Sequence, residues 1–450
     1  MLNLSLLLIG TGFLFLLCLR TRIPLVNVLL VFVSVITLLS DALFVAGTPL
    51  TFLDIAFSVV VLSLLASHIL NRNAEFVTTP FDGWILAFVL VNLIVVIVSV
   101  NAGNALGNAI REFFCYLRVF IGVYVFVNVL DSRNDLRSVV AAAFVLCFLA
   151  CCVGIWQAAM IEPQAEGTYT DEYGRVRIFS FFGNPNTYAA YLELMFYPCL
   201  SLFRYYYDTR AKLPAALLLS LLALISVNML LTLSRGVFVS TLVGTLLFVV
   251  FRSRNRTRLL LYGGIVGIPV VLAFVAFFGD AFARQINLIT QFPDVLMEYT
   301  LLHRIAQYAK YVEVITRYPV MGMGWGVHQI PSFTSDFVRS SEPILIFGGL
   351  NGLYFDLALK SGLISLAVFC TIFVAFVVYV TRSVRRIGAG RPIYHFAVGV
   401  VFAIIALSLH HTIDNLIKFG QFGFFVSIFM AVTLKGIYYS KGSQPRYVLQ

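Results

Sequence analysis

The sequence predicts an all-α polytopic membrane protein, and three observations lead to that class. Of the 450 residues, 60% are hydrophobic and only 12% are charged, which is more apolar surface than a soluble protein can bury. The charges are clumped, and between them lie apolar runs of about 20 residues, the length that crosses ~30 Å of hydrocarbon as a helix. The alternation of polar and apolar residues that a membrane β-barrel needs is missing.

Thirteen apolar runs are long enough to be spans, which predicts about 12–14 transmembrane helices in a single transmembrane domain over residues 1–450. The runs lie near residues 2–19, 24–40, 50–70, 82–100, 113–130, 138–160, 186–203, 214–233, 236–251, 259–279, 352–380, 393–410 and 422–439. The first run lacks a basic start and a small-residue cleavage site, so we expect no cleavable signal peptide. The seven cysteines all fall inside apolar runs and are interpreted as small core residues.

Short basic loops predict the orientation. Arginine and lysine collect on cytoplasmic loops, so we place the loops 204–212, 252–258 and 382–391 in the cytoplasm. The same rule explains the net charge of +10, and we therefore expect no nucleic-acid partner. The opposite, extracytoplasmic face then receives the segments 101–112, 161–185, 234–236, 280–351 and 411–421.

Two of the outer segments are long enough to be substantial loops. Residues 161–185 form the smaller loop, and residues 280–351 form a large one that we expect to roof the active site. Helical spacing within the large loop predicts an amphipathic helix that ends at Pro319 and a glycine-rich stretch. Its apolar positions are Leu302, Ile305, Tyr308, Val312 and Ile315, opposite His303, Arg304, Gln307, Lys310 and Arg317.

Charged residues at membrane depth are costly and tend to mark sites. Arg235 lies between two apolar runs in a connection so short that a tight helical turn must present its guanidinium at the outer surface. Arg111 and Arg118 share a helical face, with Glu112 beside the first. They are interpreted either as a cationic wall for an anionic ligand or as an internal ion pair plus a snorkelling arginine.

Other polar residues in the apolar runs predict internal contacts. Glu193 is expected to pair with Arg235 or Arg111, and Asn186 is expected to cap the helix that follows it. A further cluster at an outer helix end is interpreted as an interfacial polar network rather than a metal site. Its members are His410, His411, Asp414 and Lys418.

Four pieces of sequence follow one another between residues 177 and 365. They are RIFSFFGNPN at 177–186 followed by YAAYL at 188–192, LTLSRG at 231–236, His303-Arg304 followed by Tyr318-Pro319 and GMGWG at 322–326, and NGLYFDLALKSGLI at 351–364. In order and spacing they resemble motifs of the bacterial O-antigen polymerase and ligase superfamily. The ligases carry histidine before the asparagine of the last motif, and this chain has Leu350 there, which favours the polymerase branch.

This resemblance implies a GT-C-like membrane glycosyltransferase of the bacterial inner membrane that needs neither metal nor other cofactor. Its implied substrate is an undecaprenyl-pyrophosphate-linked oligosaccharide, handled at the periplasmic face within the lipid bilayer. A chain-length regulator protein is a further partner to be tested. By matched position, Arg235 and Arg304 would hold the donor pyrophosphate. We assign substrate binding to Arg111, Arg118, Arg177, Asn184, Asn186, Tyr308 and Asn351.

The chemistry of the implied reaction agrees with arginine as the main catalytic group. A pyrophosphate is a good leaving group whose growing charge must be neutralised, and the planar guanidinium binds phosphate oxygens bidentately while staying charged. The chain contains no Asp-x-Asp motif of the kind that metal-dependent transferases use. Candidates for the general base are His328, Asp336 and Glu342 on the large loop.

Three functions stay open at this point. The leading hypothesis is a surface-polysaccharide polymerase that moves a lipid-linked glycan onto a lipid-linked repeat unit with inversion at the anomeric carbon. A ligase of the same superfamily, which would transfer glycan to lipid A core, is the second. A flippase for lipid-linked oligosaccharides is the third, and it would be expected to carry charges along a central cavity and to lack a long outer loop.

Overall fold

The computed structural model describes residues 43–45, 48–50, 77–130, 132–161, 169–170, 175–252, 300–327, 329–330, 344–345, 352–418 and 420–441. The described helices are α1 (Asp82–Asn101), α2 (Leu106–Val129), α3 (Arg133–Met160), α4 (Pro185–Asp208), α5 (Lys212–Leu231), α6 (Arg235–Arg252), α7 (Thr300–Arg317), α8 (Leu353–Ile387), α9 (Pro392–His410) and α10 (Gly420–Lys441). Two short antiparallel pairs accompany them: β1 (Leu43–Val45) with β2 (Thr48–Leu50), and β3 (Gln329–Ile330) with β4 (Ile344–Leu345).

The predicted class is confirmed, because seven helices in the described part of the chain are long and apolar enough to cross a membrane. They are α1, α2, α3, α5, α8, α9 and the greater part of α10. The predicted spans between residues 82 and 251 and between 352 and 439 each coincide with a helix. The predicted spans 2–19, 24–40 and 259–279, and all of 50–70 beyond its first residue, lie outside the described residues.

Helix α4 is the centre of the bundle. It packs against α5 and α9, while α2 packs against α10 and α1 against α8. Helix α4 contains a proline, Pro198, at a place where its backbone lies close to that of α9. A Cβ on Gly399 of α9 would lie 2.4 Å from the Cα of Pro198, so only glycine allows the two backbones to approach this far.

Contacts between helices show which segments lie together at each end of the bundle. At one end, Arg133 donates to the carbonyl of Tyr439 at 2.8 Å, and Arg391 donates to the carbonyl of Ser440 at 3.1 Å. We call this the basic end, because the described basic loops 204–212 and 382–391 lie there; the rings of Tyr205 and His395 are 5.0 Å apart. It comprises the segments 77–82, 124–133, 204–212, 382–395 and 438–441.

The opposite end of the bundle gathers the motif segments. The amide of Ile178 donates to the carbonyl of Leu231 at 3.3 Å, and the amide of Leu353 donates to the carbonyl of His411 at 2.8 Å. We call this the site end; it comprises the segments 99–112, 177–186, 231–236, 318–326, 352–363 and 410–418. Five of these six segments overlap the segments that the sequence predicts to share one face of the membrane, and the sixth, 352–363, is the start of the predicted span 352–380.

The predicted amphipathic helix exists as α7, with a correction to its apolar face. Tyr311 and Val314 are buried, and together with Leu359 of α8 they form a separate small core. Val312, placed on the apolar face by its spacing, is 51% exposed. The packed face of α7 is therefore rotated by part of a turn relative to the predicted face, because α7 contacts α8 along a single narrow stripe.

Candidate active site

The Thr232–Gly236 turn presents an arginine at the site end. Helix α5 ends at Leu231 and α6 begins at Arg235, so only three residues connect the two helices. Leu233 adopts a left-handed backbone conformation with φ 51°, which lets the chain reverse direction in so short a distance. Arg235 is exposed, as its position in the turn predicts.

Beneath this turn, Gly236 packs against the imidazole of His410 at the end of α9. A Cβ on Gly236 would lie 2.8 Å from His410 Cδ2 and 3.0 Å from Nε2. The Oδ2 atom of Asp414 would lie 3.7 Å from the same Cβ. Glycine therefore follows Arg235 because a side chain here would displace the histidine.

His410 lies between two carboxylates. Its Nδ1 is 3.0 Å from Glu193 Oε2, and its Nε2 is 3.6 Å from Asp414 Oδ2. Ser240 and Thr241 donate to the other oxygen of Glu193 at 2.5 and 3.3 Å. The predicted pairing of Glu193 with an arginine is therefore wrong, because α9 rather than the arginine turn covers the face of α4 that carries Glu193.

A second charged cluster lies at the start of α8 and consists of two carboxylates and two lysines. Lys360 Nζ is 2.9 Å from Glu112 Oε1 and 3.2 Å from Asp356 Oδ1, and Lys418 Nζ is 2.5 Å from Asp356 Oδ2. Tyr116 also donates to Asp356. Buried charges are tolerated when they are paired and hydrogen-bonded in this way. We call Glu112, Asp356, Lys360 and Lys418 the buried quartet; Asp356 and Lys360 are fully buried, while the side chains of Glu112 and Lys418 are 22% and 17% exposed.

Two groups beside these clusters have pKa values moved by burial. Burial lowers the pKa of Lys418, and the neighbouring Asp356 carboxylate only partly opposes that shift. Burial and the adjacent His410 lower the pKa of His411 to about 4, so this imidazole is neutral at neutral pH.

The predicted network of residues 410–418 is divided between the two clusters, since His410 pairs with Asp414 while Lys418 pairs with Asp356 of α8.

The glycine-rich loop fits into a break in α8. At Gly362 the backbone leaves helical geometry with φ 80°, which frees carbonyls of the preceding turn. Met323 and Gly324 donate their amides to the carbonyls of Leu359 and Lys360 at 2.7 and 3.0 Å. The amides of the glycine-rich loop therefore hydrogen-bond the carbonyls that the break in α8 leaves without a helical donor.

The last residues of this loop connect it to α1 and α2. Trp325 is fully buried and donates from its indole Nε1 to Asn92 Oδ1 at 3.1 Å. The amide of Gly326 donates to Glu112 Oε2 at 2.9 Å. Because Lys360 binds the other oxygen of Glu112, the buried quartet holds the loop in position.

The substitution Gly324→Ala is expected to displace this loop from α1 and α8. Gly324 has φ 99°, and a Cβ there would lie 2.3 Å from the hydroxyl of Ser99, so Gly324→Ala combines a left-handed backbone penalty of about 1–2 kcal/mol with a steric clash. We expect a lower melting temperature in detergent and reduced activity. The matched control is Gly107→Ala, because a Cβ at Gly107 meets nothing within 4 Å. Equal melting of the two variants would contradict this account of the loop.

Arg177 and the asparagines near it fix the entry to α4. Asn184 caps the helix, accepting from the amides of Asn186 and Thr187 at 2.8 and 3.3 Å. The expectation that Asn186 is the cap is wrong, since Pro185 takes the first helical position. Arg177 donates to Asn186 Oδ1 at 2.7 Å and to the carbonyl of Thr232 at 3.0 Å. This arginine thus joins the first motif to the arginine turn.

The two arginines of α2 differ in environment. Arg111 is exposed, whereas Arg118 is half-buried and donates to the carbonyl of Lys418. The interpretation of Arg111 and Glu112 as an internal ion pair is wrong, because Glu112 binds Lys360 and the loop amide of Gly326. Arg111 therefore keeps its guanidinium toward the surface of the site end.

The remaining predicted site residues lie on or near the large outer loop. Arg304 lies in α7, and the ring of Tyr308 stacks on Phe355 with centroids 4.8 Å apart. His328, Asp336, Glu342, Leu350 and Asn351 lie outside the described residues. The roles of these residues in catalysis and substrate binding stay predictions.

The fold and this arrangement define a class: a multi-pass helical membrane protein whose glycine-rich, arginine and carboxylate motifs converge at one end of the bundle. Residues 219–370 match the family model described as O-Antigen ligase. The match confirms the resemblance to the O-antigen polymerase and ligase superfamily, and it does not distinguish the two branches. No curated protein shows significant similarity to the chain.

Three of the four motif pieces lie within or overlap the matched segment. It includes the arginine turn, the glycine-rich loop and the first part of α8. The match therefore supports a function of the O-antigen polymerase or ligase class, that of a membrane glycosyltransferase-like enzyme.

Proposed function

We propose that the protein is a polymerase of surface polysaccharide. It transfers a growing glycan from undecaprenyl pyrophosphate to the non-reducing end of a new lipid-linked repeat unit, at the periplasmic face of the bacterial inner membrane. The observation that carries the proposal is the exposed Arg235, which directly follows the three-residue connection between α5 and α6 at the site end. An arginine in an outer turn runs against the usual charge bias of membrane loops and so indicates a specific anionic ligand.

The sidedness of the site follows from the distribution of charge. The described basic loops all lie at the basic end, which the positive-inside rule assigns to the cytoplasm. The site end then faces the periplasm, where a lipid-linked glycan is available after it has crossed the membrane. An active site beneath the large outer loop is expected on this side.

Arg235 and Arg304 are proposed to hold the donor diphosphate. A guanidinium forks onto two phosphate oxygens, and in a site with few waters its charge stabilises the leaving diphosphate more strongly than solvent does. Arg111, exposed at the same end, and Arg118 extend this positive surface. Arg177 supports it indirectly, since its guanidinium is bound to Asn186 and to the carbonyl of Thr232 in the arginine turn.

The proposed transfer is a direct displacement. The acceptor hydroxyl oxygen forms a bond to the anomeric carbon while the bond from that carbon to the phosphate oxygen breaks, and the electron pair leaves with the diphosphate. Because the nucleophile enters opposite the leaving group, the anomeric configuration inverts. Retention of the donor configuration in the product, measured by NMR, would contradict this mechanism.

Ligation is the second candidate, because the matching family model carries the description O-Antigen ligase. The two functions differ only in the acceptor: a lipid-linked repeat for the polymerase and lipid A core for the ligase. The absence of histidine at Leu350 favours the polymerase.

A reconstituted assay separates the candidates. Purified protein in detergent is given a defined undecaprenyl-pyrophosphate-linked repeat, alone or with lipid A core, and no membrane gradient. A polymerase produces a ladder of lipid-linked oligomers from the repeat alone. Transfer of single repeats to lipid A core without a ladder would identify a ligase. No transfer in detergent, together with movement of the lipid-linked repeat across vesicles, would identify a flippase.

A further inference from the structure

A buried amide side chain of α3 holds the first motif segment at the site end. Gln157 is 6% exposed and lies in the last turn of α3. Its Oε1 atom accepts from the amides of Phe179 and Ser180 at 3.1 and 2.7 Å, and its Nε2 atom donates to the carbonyl of Ser180 at 3.1 Å. One side chain thus fixes two consecutive residues of the segment 177–186 through three hydrogen bonds.

The same segment is bound on its other side to the start of the arginine turn. The amide of Ile178 donates to the carbonyl of Leu231 at 3.3 Å, and Nε of Arg177 donates to the carbonyl of Thr232 at 3.0 Å. Both carbonyls lie within four residues of Arg235 in the sequence. Residues 177–180, which we call the bridge segment, therefore connect α3 to the turn that presents Arg235.

We propose that Gln157 is a positioning residue for Arg235 and acts through the bridge segment. The inference rests on the proposed function, because it assigns to Gln157 the task of holding the guanidinium where the donor diphosphate binds. Gln157 itself does not touch the substrate in this account. It lies outside residues 219–370, the segment that the family model matches, and outside the four motif pieces.

The first argument is the backbone conformation of the residues that these contacts hold. Three residues other than glycine have a positive φ in the part of the chain that the structure describes, and they are Ser180, Arg210 and Leu233. Ser180, with φ 49°, lies in the bridge segment, and Leu233, with φ 51°, lies in the arginine turn. Such conformations are unfavourable for residues with a Cβ and persist only where surrounding contacts fix them. Gln157 supplies those contacts at Ser180.

The second argument is how closely α3 approaches the bridge segment. A Cβ on Gly154 would lie 3.0 Å from Cδ1 of Ile178, 3.0 Å from the hydroxyl of Tyr188 and 2.2 Å from Oδ1 of Asn228. Glycine at this position therefore lets the fully buried Ile178 pack directly on α3. Gly154 and Gln157 are three residues apart and lie on one face of the helix, so the close approach brings the amide within reach of the segment.

The third argument is the chemical nature of the side chain. Burying an amide away from water is unfavourable unless its hydrogen-bonding groups are paired. A leucine or methionine would pack in this span without that requirement, but neither could bind two amides and a carbonyl. The backbone of the bridge segment therefore explains why an amide occupies position 157, whereas helix packing alone does not.

A small displacement of Arg235 is expected to be costly. A guanidinium stabilises the leaving diphosphate only when its donors point at the oxygens on which charge develops, and a misplacement of about 1 Å can lower a rate by about 100-fold. Without Gln157, the bridge segment loses three hydrogen bonds, and the carbonyl of Thr232 keeps a donor whose own position is less well fixed. The guanidinium then meets the diphosphate in a poorer geometry.

The test is a double-mutant cycle between Gln157→Met and Arg235→Ala in the reconstituted ladder assay. Methionine is an unbranched side chain of similar length without an amide. We expect Gln157→Met alone to lower kcat/KM for the lipid-linked donor by about 10–100-fold. When Arg235 is already alanine, the further loss should be within about twofold, because the group to be positioned is absent. Equal losses in the two backgrounds would overturn the inference.

Asn128→Leu is the matched control for a general loss of stability. Asn128 is also an amide that holds backbone, since its Oδ1 accepts from the amide of Val77 at 2.9 Å and its Nδ2 donates to the carbonyl of Tyr124 at 2.8 Å. These contacts lie at the basic end. We expect both variants to melt at a lower temperature in detergent, and only Gln157→Met to lower kcat/KM. Equal losses of kcat/KM in the two variants would show that Gln157 acts only through stability.

A conservative variant and a binding measurement cover the case in which Gln157→Met does not fold. Gln157→Glu keeps an acceptor for the amides of Phe179 and Ser180, so it should retain more activity than Gln157→Met. Either folded variant should bind undecaprenyl pyrophosphate more weakly than wild type and undecaprenol equally well. Lowered activity with unchanged affinity for the diphosphate would contradict a route through Arg235.

Failure of this inference and failure of the proposed function give different results. If Gln157→Met makes the ladder at the wild-type rate, the inference is wrong and the polymerase function stands. If wild-type protein makes no ladder from lipid-linked repeats, the polymerase function itself is wrong. The affinities of wild type and Gln157→Met for undecaprenyl pyrophosphate then still decide whether Gln157 positions Arg235.

Discussion

Replacing Arg235 with alanine is expected to lower kcat/KM for the lipid-linked donor by about 10²–10³-fold, the loss typical of one group that stabilises a developing negative charge. The Arg235 guanidinium is exposed at the end of the three-residue connection between α5 and α6, whereas the nearby Arg177 guanidinium is bound to Asn186 and to the carbonyl of Thr232. Steady-state rates of ladder formation with purified protein measure the effect.

Two further variants show whether the shape of the guanidinium matters. Arg235→Lys keeps the charge but loses the two-pronged geometry, so its activity should lie between wild type and Arg235→Ala. Arg317→Ala is the matched control, because Arg317 lies in α7 and forms an exposed ion pair with Glu313 at 2.8 Å. If Arg317→Ala lowers activity as much as Arg235→Ala, a general effect of positive charge explains both.

Replacing Lys360 with methionine is expected to destabilise the protein by about 1–3 kcal/mol, the cost of removing the partner of a partly buried charged group. The side chain of Lys360 is 1% exposed and binds both Glu112 and Asp356. Asp356 keeps Lys418 in the variant, so the unpaired charge is that of Glu112. Because Glu112 also accepts from the loop amide of Gly326, activity should fall together with thermal stability in detergent.

A second substitution and a surface pair make this prediction specific. Lys360→Met combined with Glu112→Gln removes the unpaired charge and should recover most of the lost stability. Arg204→Met removes an i,i+4 pair with Asp208 whose side chains are 56% and 45% exposed, and it should cost less than about 1 kcal/mol. Similar losses from Lys360→Met and Arg204→Met would contradict the role given to the buried quartet.

The helices were predictable from sequence because an apolar run of sufficient length specifies a membrane span by itself. The described helices follow the predicted spans, and the exposure of Arg235 follows from the shortness of its turn. The face of α7 was less predictable, since Val312 fits the apolar spacing but the packed stripe runs through Tyr311 and Val314.

The partners of the buried charges were not predictable from one sequence. Glu193 and His410 are 217 residues apart, and nothing in the spacing of the spans says that α4 lies against α9. The pairing of Lys360 with Asp356 could be predicted, because two opposite charges at i,i+4 spacing within an apolar run indicate a helical ion pair. Its second partner, Glu112, depends again on tertiary packing.

The glycine-rich motif was recognised by resemblance, but its physical reason appears only in the fold. A Cβ on Gly362 would lie 2.0 Å from the carbonyl oxygen of Val320, and one on Gly322 would lie 2.5 Å from that of Leu359. Both glycines also have positive φ. Sequence can indicate a loop at such a place, whereas the close approach of two backbones requires the structure.

Binding of undecaprenyl pyrophosphate to purified protein tests the central claim most directly. Wild-type protein, Arg235→Ala, Arg304→Ala and the double variant are titrated with the lipid diphosphate and, as control, with undecaprenol. The account predicts that each arginine variant weakens binding of the diphosphate by about tenfold or more, while binding of undecaprenol is unchanged. Equal affinity of wild type and the double variant for the diphosphate would contradict the account.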